Sequence, residues 1–254
     1  MTTKINVYGL DGSVKEQITL PKVFTTAYRP DIIAKSFEVT HSNQRQPYGN
    51  NKRAGLNHAV ASVGKGRGMS RVPRLTQGQN AALAPNVVGG RRAHPPKAEP
   101  SWKEKMNKKE QKLARNSALA ATADKTIVTA RGHHFKDDIT LPIIIDDDFD
   151  GLIKVKDVIA AFDKIGIYTD IERAQNGRHV RAGKGKMRGR RHRTPKSILI
   201  VSNSNNITRS SKNLVGVDVT APNQLNIEQL APGGTAGRLT IITKSALTKI
   251  GGAK

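Results

Sequence analysis

Apolar positions recur in two rhythms along this chain, a period of two and a period near 3.6, and two long stretches follow neither. Ile5 and Val7 alternate with polar neighbours, Gly9-Leu10-Asp11-Gly12 supplies turn residues, and Ile18 and Leu20 resume the alternation before Pro21. That pattern predicts a small β-hairpin. Pro30-Asp31 opens a helical pattern through Ile32, Ile33, Ser36 and Phe37 that fades near His41. Between about Gln46 and Pro100 no period is sustained. Order returns at Ser101-Trp102-Lys103-Glu104, which has the spacing of a capping box. It predicts a helix with Met106, Leu113, Ala114, Ala118 and Ala121 in or near one face, and a second short helix from Asp124 to near Gly132.

From there strand and helix patterns alternate. Ile143-Ile144-Ile145 reads as a buried strand, and Val155, Val158, Ile159, Phe162 and Ile165 form a helical stripe closed by Gly166. Ser197 to Val201 reads as a second strand, Val215 to Val219 as a third, Asn223 to Leu230 as a helix and Leu239 to Ile242 as a fourth strand. Thr243 then caps a last helix ending at Gly251. The alternation predicts an α/β fold, a single Rossmann-like open sheet with helices packed on it. A basic segment between Tyr168 and Pro195 interrupts the pattern. The expected organisation is a globular domain formed by residues 1–45 and 99–254. Residues 46–98 are an extended loop inserted in it, and residues 173–196 a second basic insertion.

Charge sharpens this division. From His41 to Ala98 there are ten Lys/Arg and no Asp or Glu, and from Arg173 to Val217 there are twelve, again with none. The chain carries 43 basic and 20 acidic residues, so removing these 22 leaves 21 against 20. Concentrated like charge opposes compaction unless a polyanion neutralises it, and nucleic acid is the densest polyanion available. Eight glycines and five prolines punctuate residues 41–98, a composition that buries no core of its own and orders on a partner. Run out and back as an arm, about 25 residues each way would reach up to ~80 Å. The chain has no cysteine, so disulfides and thiolate metal sites are excluded. No apolar run approaches a membrane span, and Met1 to Asn6 lack a signal-peptide core, so a cytoplasmic protein is expected.

The candidate RNA-binding residues are the basic side chains of the two stretches. In the first they are Arg45, Lys52, Arg53, Lys65, Arg67, Arg71, Arg74, Arg91, Arg92 and Lys97. In the second they are Arg178, Arg181, Lys184, Lys186, Arg188, Arg190, Arg191 and Arg193, interleaved with glycines that let the backbone approach a phosphate. Gly64-Lys65-Gly66-Arg67-Gly68 lacks the flanking strand and helix of a dinucleotide fingerprint, and no Walker A motif occurs. Asp146-Asp147-Asp148-Phe149-Asp150-Gly151 matches the start of an EF-hand loop, but a strand and not a helix precedes it, so a solvated acidic turn is expected. A metal-dependent nuclease built on Asp146, Asp148 and Asp150 is the alternative function, and a DNA-architectural protein a weaker third. His133-His134 reads as a surface pair at a helix end. No Gly-x-Ser-x-Gly elbow is present, and no catalytic residue, metal site, cofactor or small-molecule substrate is expected. Only Tyr48 among the aromatics lies in either stretch, so binding is expected to use charge and close backbone approach in place of base stacking.

Three segments carry a family resemblance. Gly64-Lys65-Gly66-Arg67 with Arg71-Val72-Pro73-Arg74 and Gly89-Gly90-Arg91-Arg92-Ala93-His94-Pro95-Pro96-Lys97 resemble the long loop of the universal large-subunit ribosomal protein L-four family. Arg181 to Arg193 resembles that family's second basic insertion, and Leu230-Ala231-Pro232-Gly233-Gly234-Thr235-Ala236-Gly237-Arg238 its C-terminal signature. The form resembled is the archaeal one. The resemblance implies a structural, non-enzymatic component of the large ribosomal subunit, with an α/β body on its surface. The long loop would penetrate ribosomal RNA to line the polypeptide exit tunnel. Its tip, Gly64, Lys65, Gly66, Arg67, Gly68, Met69, Ser70 and Arg71, would lie opposite the loop of ribosomal protein L-twenty-two and face the nascent polypeptide.

Overall fold

The computed structural model describes residues 4–99 and 101–252. The N-terminal alternation folds as β1 (Lys4–Tyr8) and β2 (Val14–Thr19), antiparallel with Ile5 opposite Ile18. Helix α1 (Pro30–Asn43) follows, burying Ile33, Ser36 and Val39. Two short strands, β3 (Val60–Ala61) and β4 (Arg74–Leu75), lie in the first basic stretch. Then come α2 (Lys108–Ala121), α3 (Lys125–Ala130), β5 (Ile143–Ile145), α4 (Val155–Ile165) and α5 (Tyr168–Asn176). A basic hairpin pairs β6 (His179–Val180) with β7 (His192–Arg193). The chain finishes with β8 (Leu199–Val201), α6 (Asn205–Ser211), β9 (Asp218–Thr220), α7 (Ile227–Leu230), β10 (Thr240–Thr243) and α8 (Lys244–Gly252).

The fold is mixed α/β with a mostly parallel sheet. Six strands stand in the order β2-β1-β5-β10-β8-β9, and every pairing except β1 with β2 is parallel. Because successive strand residues point to opposite faces, the isoleucine runs divide between two layers. Ile144, Leu199, Val201 and Ile242 join Ile5 and Val7 on one face, against Ala114, Ala118 and Leu119 of α2 and Leu247 of α8. Ile143, Ile145, Ile198, Ile200 and Ile241 fill the other, against Val158, Phe162 and Ile165 of α4, Ile171 of α5 and Ile207 of α6. Each of these buried Val, Leu, Ile and Phe side chains contributes roughly 1.5–3 kcal/mol. Helices on both faces explain why these strands read as continuous apolar runs instead of alternating ones.

Several elements differ from the sequence reading. The helix expected from Ser101 begins at Lys108, with Asn107 at its cap and no side-chain capping bond. The Trp102 ring is held by Arg45 and its carbonyl by Ser42, tertiary contacts that outweigh the local capping pattern. Met106 therefore lies outside α2, and Leu113 is exposed. The third strand is shifted to Asp218–Thr220, and the helix expected over 223–230 divides into a 3-10 turn at Pro222–Gln224 and α7, whose Asn226 and Gln229 form a true capping box. Arg173 to Asn176 complete α5, so the irregular part of the second insertion begins after that helix and not at Arg173.

The chain divides into two units, Met1–His41 with Glu104–Lys254, and Ser42–Lys103. Within the second unit the legs run antiparallel: the Asn50 N–H donates to the Pro96 carbonyl at 2.9 Å, and Val60 pairs with Leu75. Arg74 also bridges to Ala81, so the return leg folds back on itself, and Ala54 and Leu56 close turns in the outgoing one. An arm of two equal extended legs, with a reach near ~80 Å, is therefore not what forms. Among its described residues the one buried apolar side chain is Ala82.

Candidate nucleic-acid interface

The second insertion presents its charge on a small, tightly turned frame. The Arg181 N–H donates to the Arg191 carbonyl at 2.8 Å beyond the β6–β7 pair, and the Arg188 and Arg190 N–H groups both donate to the Gly185 carbonyl, at 3.1 and 3.2 Å. Lys184–Met187 form a 3-10 turn. Arg178, Arg181, Lys184, Lys186, Arg188, Arg190, Arg191 and Arg193 are all exposed. Arg181 also donates from Nε to the Arg190 carbonyl at 3.3 Å, bracing the turn with its own guanidinium.

The hairpin is rooted in a buried polar network at the amino-terminal ends of the parallel strands. Arg173, at the end of α5, donates from Nε to Asp170 Oδ1 at 2.9 Å and from Nη2 to the Lys196 carbonyl at 2.9 Å, so it ties the outgoing and returning legs together. Asp170 is fully buried and also meets His133 Nδ1 at 3.0 Å and the His134 N–H at 3.0 Å. His133 is thus buried, which corrects the expectation of a surface pair. Burial pushes the His133 pKa below its ordinary value, and the charges of Arg173 and Arg131 add to this against the raising effect of Asp170. A neutral imidazole protonated on Nδ1 fits that position as a donor. Burial pushes the Asp170 carboxyl up, but the hydrogen bonds from His133 and Arg173 together outweigh it and hold the group below its usual range.

Arg238 extends the network. It is fully buried, donating from Nε to the Ser197 carbonyl at 2.8 Å, from Nη1 to Gln229 at 2.9 Å and from Nη2 to Gly216 at 3.1 Å, with Asp218 as its ion pair at 2.7 Å. Gly216 has φ +76°, and a Cβ there would lie 2.4 Å from the Pro195 carbonyl oxygen, so only glycine fits beside the returning leg. Arg131 donates to the carbonyls of Thr235, Ala236 and Pro232. Burial, helped by the charges of Arg238 and Arg173, lowers its pKa to about 10. None of Asp170, Asp218, Arg131 or Arg238 was singled out from the sequence as part of one site. The partners are too far apart along the chain for any local pattern to join them.

In the other unit, Gly64, Gly66 and Gly68 have φ of +72°, +84° and +64°, and a Cβ at any of them would meet nothing within 4 Å, so the turn around Lys65 and Arg67 is uncrowded on that side. Lys65, Arg67, Met69, Ser70 and Arg71 are exposed, as are Arg45, Lys52, Arg53, Arg92 and Lys97, whereas Arg91 is half-buried. Three of the predicted RNA-binding side chains in this unit are engaged within the protein, Arg45 among them on the Trp102 ring. Arg74 donates to the Gln79 carbonyl at 2.6 Å and to Ser70 Oγ at 3.3 Å, stapling the turn, and Lys52 pairs with Glu99 at 2.6 Å.

The carboxyl ends of the strands, where open α/β sheets commonly bind ligands, are filled by the acidic turn at Asp147–Gly151. Lys15 pairs with Asp146 and Asp148, Asp147 Oδ1 accepts from the Ser245 N–H at 2.9 Å, and Asp150 Oδ1 accepts from Ser202 Oγ at 2.6 Å. Asp146 and Asp148 thus share one ammonium while Asp147 and Asp150 face other donors, and among the described residues no group of three or more His, Asp or Glu is placed to hold a metal ion. No described helix is long and apolar enough to cross a membrane.

Comparison with known proteins agrees with this arrangement. The model of the ribosomal protein L4/L1 family matches residues 18–253. The large ribosomal subunit protein uL4 of Methanocaldococcus jannaschii is 49% identical over 248 residues, covering 97% of this chain and 98% of its own. Those of Methanococcoides burtonii and Thermoplasma acidophilum are 47% and 43% identical, each alignment covering 98% of both chains. With the family's pattern running through the sheet, the rooted basic hairpin and the glycine-rich turn alike, the chain belongs to the ribosomal protein L4/L1 family.

Proposed function

We propose that this chain is a structural constituent of the large ribosomal subunit that anchors on ribosomal RNA through its second basic insertion and reaches into the RNA with its long loop. The observation that carries this reading is the exposed, acid-free arginine hairpin fixed to the body by Arg173, Asp170 and Arg238. It is not an enzyme, and it works in the cytoplasm, where ribosomes assemble and translate. Residues 46–98 serve as the loop inserted in a Rossmann-like open-sheet body. Gly64 to Arg71 line the exit tunnel, opposite the loop of ribosomal protein L-twenty-two and beside the nascent polypeptide. Arg45, Lys52, Arg53, Arg91, Arg92 and Lys97 neutralise phosphates along the loop's path, and the eight basic residues from Arg178 to Arg193 do so at the body.

Sedimentation of the tagged chain through a sucrose gradient tests the assignment. It is expected to travel with large subunits in low and moderate salt and to be released with free RNA-binding proteins only when the subunit is dismantled. Migration at the top of the gradient under all conditions would overturn it. The metal-dependent nuclease reading finds no support in the geometry, because Asp146 and Asp148 already share the Lys15 ammonium and Asp150 faces Ser202.

A further inference from the structure

Aromatic side chains are scarce in this chain, one Trp, four Tyr and five Phe, and most of them are packed in the body. The exception is a column at the root of the long loop. The Arg45 guanidinium lies 3.9 Å from the centroid of the Trp102 ring, and the Tyr48 ring lies 6.2 Å from that ring at an interplanar angle of 31°. Ser42 Oγ donates to the Trp102 carbonyl at 2.7 Å, which fixes the indole from its backbone. Beside it the two legs of the loop touch through their main chains: a Cβ on Gly49 would lie 2.6 Å from the Ala98 nitrogen. Tyr48 itself is 67% exposed, the most exposed aromatic ring among the described residues.

We propose that Tyr48, braced by Trp102 and Arg45, is a stacking platform for one unpaired RNA base. This deepens the RNA-anchoring reading above and rests on it. Trp102 takes a cation over its ring and meets the tilted Tyr48 ring, while Tyr48 keeps a large exposed surface, 67% of it in water. A nucleobase is the occupant that suits both the ring and its setting. Every aromatic face accepts a base irrespective of sequence, and the surrounding segment carries ten basic residues and no acidic one between His41 and Ala98, which draws in the attached phosphates. The expectation of binding by charge and close backbone approach in place of base stacking is therefore revised at this one place. Trp102 lies beyond the basic stretch, 54 residues from Tyr48, so the pair is invisible along the sequence.

The sole tryptophan makes the test direct, since its emission reports on the platform. The full-length chain is titrated with an adenylate dodecamer and, separately, with a blunt RNA duplex of equal length. Single strands are expected to quench Trp102 emission, and the duplex to bind without quenching it. Tyr48→Leu should weaken single-strand affinity roughly 5- to 150-fold, the loss of one stacked base. Its salt slope should stay unchanged, because no charge has been removed. Tyr48→Phe, which keeps the ring, should restore binding. If Tyr48→Leu binds single strands as tightly as the parent, or if Tyr48→Phe loses as much as Tyr48→Leu, the platform is wrong while RNA binding stands. If neither RNA form binds the parent chain, the RNA reading itself fails.

Discussion

Arg238 has its guanidinium buried against the carbonyls of Ser197, Gln229 and Gly216 and against Asp218. Without Arg238, Asp218 keeps Lys196 at 2.8 Å, but the buried carbonyls of Ser197, Gln229 and Gly216 lose their donor. Arg238→Met should therefore cost about 3–5 kcal/mol, since each buried acceptor left unmade costs about 1–3 kcal/mol, a drop in Tm of roughly 6–20 °C for a chain of this size. Adding Asp218→Asn should recover little in the same melting experiment, because Lys196 still pairs with that carboxylate; a large recovery would mean that the ion pair, and not the carbonyl bonds, dominates. His133 gives a second residue-level outcome. Its folded pKa lies below the ordinary 6.5, so below that pH the unfolded chain binds the extra proton and folding stability falls. One such group contributes at most about 1.4 kcal/mol per pH unit. Urea unfolding followed from pH 7.5 to 5 should show this decline in the parent, and His133→Asn should flatten it; an unaltered profile would place the linkage elsewhere. Neither residue announced its role in the sequence. His133 and His134 look alike there, and only the fold separates the one bonded to Asp170 through its ring from the one bonded through its backbone.

At the level of elements, legibility followed the apolar signal. The hairpin of β1 and β2, α1, β5 and α4 with its closing Gly166 were readable because each carries its own periodicity or turn residues. Helix α5 was not. It buries only Asp170, Ile171 and Ala174, and Arg173 drew its last turn into the basic stretch by charge alone. The capping pattern at Ser101 failed for the converse reason, a correct local signal overruled by contacts to Arg45 and Ser42. The two basic elements themselves were legible, because charge and glycine content survive without any knowledge of the fold. Their division of labour is testable. Replacing Arg188, Arg190, Arg191 and Arg193 with Ala touches only exposed side chains, so stability should stay within about ±0.5 kcal/mol per site. The slope of log K against log salt should shrink by about 0.9 for each phosphate that is no longer neutralised. Deleting Gly64 to Ser70 should spare most RNA affinity and subunit incorporation. Filter binding across a salt series checks the affinities and gradient sedimentation the incorporation. A tip deletion that abolishes incorporation while the arginine variant assembles normally would reverse anchor and probe.

For the molecule as a whole, the governing fact is how its charge is partitioned. Outside the two acid-free stretches the chain has 21 basic and 20 acidic residues, and there carboxylates find basic partners: Lys15 with Asp146, Lys164 with Asp11, Lys125 with Asp137, Lys244 with Glu16. Exposed pairs of that kind are worth little in stability, but they cancel the long-range field of the body. The uncompensated charge is thereby confined to surfaces with little apolar burial, an arrangement that binds a polyanion without weakening the core. Purified protein should consequently bind folded RNA with a steep salt dependence. If only about six to ten of the basic side chains in the two stretches displace counterions, affinity should fall by about 10³–10⁵ between about 50 and 200 mM monovalent salt. A protein relying on stacking or shape alone would lose little over that range. A flat isotherm series would therefore defeat the charge-based account even if binding were tight, and a steep one retained by the four-arginine variant would move the anchor from the hairpin to the long loop.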